Sequence, residues 1–132
     1  MIVVDTTVWI DYFNGQITAQ TDYLDGLLLR QPVLMGDLIL GETLQGFRDE
    51  ADFEATRQAL ARLVQVQMMN TDLAVQSARN YRTLRKMGIT VRKTIDCFIA
   101  TYCIVNDHEI LHNDKDFDPF EAHLGLKVVR PT

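Results

Sequence analysis

The chain has 132 residues, of which 47% are hydrophobic and 23% charged, enough for one ordinary globular domain to bury a sizeable core without staples. No stretch reaches the ~18 consecutive apolar residues of a membrane span, and MIVVDTTVW lacks the basic and apolar regions of a secretory signal, so a cytoplasmic location is expected. The formal net charge of −5 disfavours a nucleic-acid partner, unless the acids gather around a cation and the bases lie apart along a track.

Ile2–Val4 is a short apolar run ending at Asp5 and reads as a buried strand, followed by a short helix over Thr6–Phe13. Tyr23, Leu24, Leu27 and Leu28 recur at helical spacing over residues 21–30. Pro32 marks the break, and residues 33–35 form a second strand. Asp37 suits the N-cap of a helix running to about Gly46. Residues 53–63 are amphipathic and helical, and residues 64–69 have strand character. Thr71 or Asp72 is expected to cap a helix to Met87, stopped by Gly88. Thr94 is expected to cap a helix from Ile95 to about Val105. Residues 110–112 read as a strand, 117–124 as a helical turn or short helix, and 127–129 as the last strand.

Short apolar strands alternating with helices predict an α/β domain over residues 1–132 with a mostly parallel central sheet. Such sheets bind ligands beyond the carboxyl ends of their strands, and Asp5 and Asp114 each follow a strand. Cys97 and Cys103 lie six residues apart in a helical segment, roughly 9 Å by helical rise and beyond disulfide reach. They are expected as reduced, buried thiols, and no ligand spacing suggests structural zinc.

The acids carry the chemistry. Asp5 can cap the helix that follows it, Asp114 and Asp116 can serve a turn, and Glu42 can be a solvated residue at the edge of its helix. Asp96 resists such an explanation. The segment TIDCFIATYCIV is apolar almost all round, which predicts a buried helix. A carboxylate in its first turn gains from the helix dipole but still needs a partner. No base lies one turn later on that face, so a distant base or a metal must satisfy it. Hard divalent ions prefer oxygen ligands and would relieve the repulsion of converging acids.

An Asp ending the first strand in VVDTTVWIDY, a Glu in GDLILGE, an Asp in KTIDCFIA and the acidic turn LHNDKDF together resemble the PIN domain, and most of all the VapC-type toxin ribonucleases of bacterial toxin–antitoxin pairs. The resemblance spans essentially the whole chain. It implies a three-layer α/β/α sandwich with a mostly parallel sheet, dependence on Mg²⁺ or Mn²⁺, and endonucleolytic hydrolysis of RNA by a metal-activated water. It also implies homodimerisation and inhibition by a small antitoxin. By position, Asp5, Glu42, Asp96 and Asp114 would be the acidic set. Asp5 and Asp96 would be the principal metal ligands, and Glu42 and Asp114 would orient a second ion or the water. Asp116 would be an outer acid, although the last essential acid could be either aspartate of that turn. Thr7 would steady Asp5, with Thr6 also in reach.

Arg79, Arg82, Arg85 and Lys86 share a helical face, and Arg92 and Lys93 follow the Gly88 break. They could form an RNA track or a solvated face near a helix C-terminus. His108, His112 and His123 lack metal-ligand spacing and read as surface or structural. Trp9, Tyr12 and Phe13 suit core or an interface. Two other functions compete. Asp5 could be an acyl-phosphate nucleophile, but dehalogenase-type phosphatases want a second acid where Thr7 stands. A non-catalytic nuclease fold could bind protein or RNA, but the complete acidic set argues against it.

Overall fold

A computed structural model describes residues 1–131. In chain order the elements are β1 (Ile2–Val4), α1 (Thr6–Phe13), α2 (Ala19–Arg30), β2 (Val33–Gly36), α3 (Asp37–Gln45), α4 (Glu50–Leu60), β3 (Val64–Val66), α5 (Thr71–Lys86), α6 (Thr94–Asn106), β4 (Glu109–Leu111), a 3₁₀ turn at Lys115–Phe117, α7 (Asp118–Leu124) and β5 (Lys127–Val128). The five strands form one sheet in the order β3-β2-β1-β4-β5, and every neighbouring pair is parallel.

This order dictates the layers. Right-handed crossovers that run from β1 to β2 to β3 put α1–α4 on one face. The return across the sheet to β4 and on to β5 puts α5–α7 on the other, giving an α/β/α sandwich. Helices on both faces explain why β1 and β2 are buried throughout. The edge strand β3 leaves Val64 and Gln65 exposed. The chain changes direction at β1, and the carboxyl ends of β1 and β4 lie side by side there, joined by the Asp5 N–H donating to the Leu111 carbonyl at 2.9 Å. That is the switch point at which open parallel sheets bind ligands.

The α5–α6 pair carries buried polar contacts. Ser77 Oγ donates to Cys97 Sγ at 3.2 Å and Asn80 Nδ2 to Thr101 Oγ1 at 3.0 Å. Cys97 and Cys103 are free and buried, as expected. Among the described residues no helix is long and apolar enough to cross a membrane.

Several boundaries differ from the sequence reading. Helix α2 starts at Ala19, because Thr18 and Thr21 form a reciprocal capping box ahead of the apolar stripe. Helix α4 starts at Glu50, capped by Asp49, before its apolar spacing begins. Strand β3 ends at Val66. Asn70, rather than Thr71 or Asp72, caps α5, its Oδ1 accepting from Leu73 N at 2.8 Å. Thr94 is the first residue of α6, and no side chain caps that helix. Asp37 likewise begins α3 instead of capping it. Its Oδ1 accepts from Leu38 N and from Met68 N, both at 2.9 Å, and so pins the segment after β3. Met68 then packs so closely on Gly36 that a Cβ there would stand 2.3 Å from its sulfur.

Candidate active site

The site is assembled beyond the carboxyl ends of β1, β2 and β4, from Asp5 directly after β1, Glu42 on α3 and the turn after β4, together with the first turn of α6. Asp5 leaves β1 in extended conformation and caps α1. Its Oδ2 accepts from Thr7 N at 3.2 Å and from Thr7 Oγ1 at 2.7 Å. The capping reading and the functional reading therefore describe the same residue: the cap fixes the carboxylate's direction.

Thr6 serves a different acid. Its Oγ1 donates to Glu42 Oε1 at 2.8 Å. Successive helical residues point about 100° apart, so the two adjacent hydroxyls steady two carboxylates on separate elements.

Asp96 lies in the first turn of α6, where a helix start favours negative charge. It is only 5% exposed, and Asp5 only 2%. Burial pushes Asp5 up to about 6, against the pull of the Thr7 bonds and with some help from Glu42. Burial pushes Asp96 up to about 7, and the Asp5 carboxylate adds to it. Lys93 opposes the shift, while Asp114 and Glu42 reinforce it. The acids thus lie within one another's field. Asp96 Oδ2 is buried without a hydrogen-bond partner, an arrangement that costs about 1–3 kcal/mol for a polar group and more for a charged one.

After β4 the chain turns back on itself. Asp114 Oδ1 accepts from Asp116 N at 2.9 Å, and its carbonyl accepts from Phe117 N at 3.1 Å. Asp114 thus serves a turn, as its sequence context suggests, and the same turn brings Asp116 inward. One carboxylate oxygen from each of Asp96, Asp114 and Asp116 lies within 4.8 Å of the other two. Asp116 therefore lies beside Asp96 and Asp114, while Asp5 and Glu42 are not part of this three-acid cluster. Three hard oxygen donors, one with an unsatisfied buried oxygen, suit a divalent cation.

The bases fall into two groups. Arg92 Nη1 lies 3.8 Å from Asp116 Oδ1. A cavity of about 70 Å³ beside the acids is lined by Arg92, Lys93, Asp96, Lys115 and Asp116. Arg79, Arg82, Arg85 and Lys86 are exposed along α5. Arg82 and Arg85 border a groove with Thr94 and Phe98 of α6, the helix that carries Asp96.

Of the aromatic residues near the N-terminus, Trp9 is buried and stacks on Phe13 with centroids 5.9 Å apart. Tyr12 donates to Asp25 at 3.0 Å. Two contacts to the acids escape a reading of the sequence: Thr6 to Glu42, and His112, whose Nδ1 accepts from Asp114 N at 3.1 Å. The first is signalled only by the Thr6–Thr7 pair, and the second by no feature of the sequence.

Residues 2–121 match the PIN domain. The chain is 34% identical over 134 aligned positions, covering 97% of each partner, to Ribonuclease VapC11 of Mycobacterium tuberculosis and to VapC ribonuclease Mb1587 of Mycobacterium bovis. Its fold is similar to a chain of VapBC2 from Rickettsia felis bound to a promoter DNA fragment, with a TM-score of 0.76, 15% identity and 98% of each chain covered. It is also similar to Mycobacterium tuberculosis VapC20, a sarcin-ricin loop cleaving toxin, with a TM-score of 0.68, 23% identity and coverage of 99% and 100%.

Proposed function

The chain belongs to the PIN domain family, and from that premise we propose that it is a divalent-metal-dependent endoribonuclease, the toxin of a toxin–antitoxin pair. The observation that carries the reading is the triad of Asp96, Asp114 and Asp116 within 4.8 Å, with Asp96 Oδ2 buried and unpartnered. The near-full-length VapC relatives are named ribonucleases, which supports RNA as substrate.

Asp96, Asp114 and Asp116 would hold the ion, with Asp5 beside them. Mg²⁺ is the expected metal, with Mn²⁺ able to substitute. When bound, it supplies Lewis acidity to a water and to a phosphate oxygen. Thr7 holds Asp5, and Thr6 holds Glu42, so that this glutamate can accept a proton from, or orient, the attacking water. The water attacks phosphorus in line as the bond to the leaving oxygen breaks. No histidine or lysine is needed as nucleophile. Arg92 and Lys93 at the rim, and Arg79, Arg82, Arg85 and Lys86 along α5, would track the backbone and offset the net charge.

The reading extends to a single cytoplasmic nuclease domain that forms a homodimer and is inhibited by a small cognate antitoxin. Solved relatives in VapBC complexes support the antitoxin.

The test is cleavage of RNA by the purified chain with Mg²⁺, with Mn²⁺ and with chelator, alongside Asp5→Asn and Asp96→Asn. Cleavage should require the ion and vanish in both variants. Cleavage in chelator, or near-normal cleavage by Asp96→Asn, would sink the proposal. Uptake of phosphate onto Asp5 from an acyl-phosphate donor would favour the phosphotransfer alternative.

A further inference from the structure

Resting on the metal-site reading above, we propose that His112 is a positioning residue whose ring, by accepting the Asp114 backbone N–H, sets where the 114–116 turn presents its two carboxylates. The donor is an amide N–H, so Nδ1 of His112, 3.1 Å away, must offer a lone pair. The ring proton therefore sits on Nε2, which is buried and has no partner among the described residues.

The next five residues fold around this ring. Asp114 N donates to it, Asp116 N donates to Asp114 Oδ1, and Phe117 N donates to the Asp114 carbonyl. Phe117, fully buried, then packs its own ring against His112 with centroids 4.9 Å apart. The loop that carries two of the three clustered acids is thus closed at both ends on one imidazole. A residue needed only for packing would have no reason to place an acceptor against the Asp114 N–H. Phe or Leu would fill that space without it.

The experiment is calorimetric titration of the full chain with Mn²⁺. His112→Phe keeps the contact with Phe117 and deletes the acceptor. His112→Asn restores an acceptor at the Nδ1 position. His112→Gln carries its oxygen at the Nε2 end instead, and substitutes for the Phe variant should that fail to fold. Phe117→Leu loosens the packing and keeps the acceptor.

His112→Phe and His112→Gln should bind Mn²⁺ about 10-fold or more weakly, the usual loss when a group that orients a ligand is removed. His112→Asn should bind as wild type does. Phe117→Leu should melt earlier and keep its Mn²⁺ affinity. Wild-type affinity in His112→Phe or His112→Gln would overturn the inference, as would a loss in His112→Asn as large as theirs. A wild-type chain that takes up no Mn²⁺ would instead overturn the metal-site reading itself, and this inference with it.

Discussion

Thr6 donates its hydroxyl hydrogen to Glu42 at 2.8 Å, joining the first turn of α1 to α3 across 36 positions of sequence. Thr6 is buried and Glu42 half-buried, so the bond lies where water competes poorly for either group. It fixes the one acid of the set that comes from the β2–α3 arm.

Thr6→Val should therefore lower the rate of RNA cleavage by about 10-fold or more and cost roughly 1 kcal/mol of stability. Thr6→Ser should keep most of both. Steady-state cleavage kinetics and denaturant unfolding of the two variants check this. Equal loss in Ser and Val would show that the methyl group, and not the hydroxyl, is what matters.

Asp5 and Asp96 set a pH dependence whose sign follows from their shifts. Both lie above the ordinary carboxylate value of 3.8, at about 6 and about 7. Between 3.8 and these values the folded chain holds more protons than the unfolded one. Stability is therefore present at the acid end of this window and lost as pH rises through 6 and 7. Metal-free protein should be less stable at about pH 8 than at about pH 5.5, by on the order of 3 kcal/mol. Chemical denaturation at the two pH values in chelator measures it. Stability that is flat or rising over this range would mean the two carboxylates do not share a buried field.

The fold was largely legible because the strand signals were short apolar runs bounded by turns, with Asp5 directly behind one and Asp114 a few residues beyond another. Asp96 was legible for a physical reason: an acid in the first turn of a helix with no polar face must be satisfied by something outside that helix. The caps were less legible. Asn70 and Asp49 cap by local geometry one or more residues before the apolar stripe begins, and Asp37 spends its carboxylate on Met68 N, 31 positions away. The resemblance made Asp116 an outer acid, whereas its carboxylate lies within 4.8 Å of those of Asp96 and Asp114. The Asx-type turn that folds it inward is closed by Asp116 N donating to the Asp114 side chain, and a sequence does not show where such a turn carries the next acid. Thr6 and His112 reach their partners through tertiary folding and local loop closure, which leave no periodicity to read.

The bases divide into a rim and a track, and salt separates them. Arg82→Ala with Arg85→Ala and Arg79→Ala should weaken RNA binding and flatten its dependence on salt, the slope falling by nearly one unit for each phosphate that is no longer neutralised. Fluorescence anisotropy with a non-cleavable RNA at several salt concentrations reads the slope. An unchanged slope would make this stretch of α5 a solvated face.

The metal-free acids repel one another, and a divalent ion that binds only the folded chain must stabilise it. The most direct measurement is the melting temperature of wild type and Asp96→Asn at about pH 8, above both raised carboxylate values, with chelator, with Mg²⁺ and with Mn²⁺. At a hundredfold excess over Kd the ion contributes about 2.7 kcal/mol, a rise on the order of 5–10 °C for a chain of this length. Mn²⁺ should do at least as well as Mg²⁺. Asp96→Asn should melt higher than wild type in chelator, because one buried charge is gone, and should lose most of the rise with metal. A wild-type melting temperature that is the same in chelator and in both ions would contradict a single metal site built by these carboxylates.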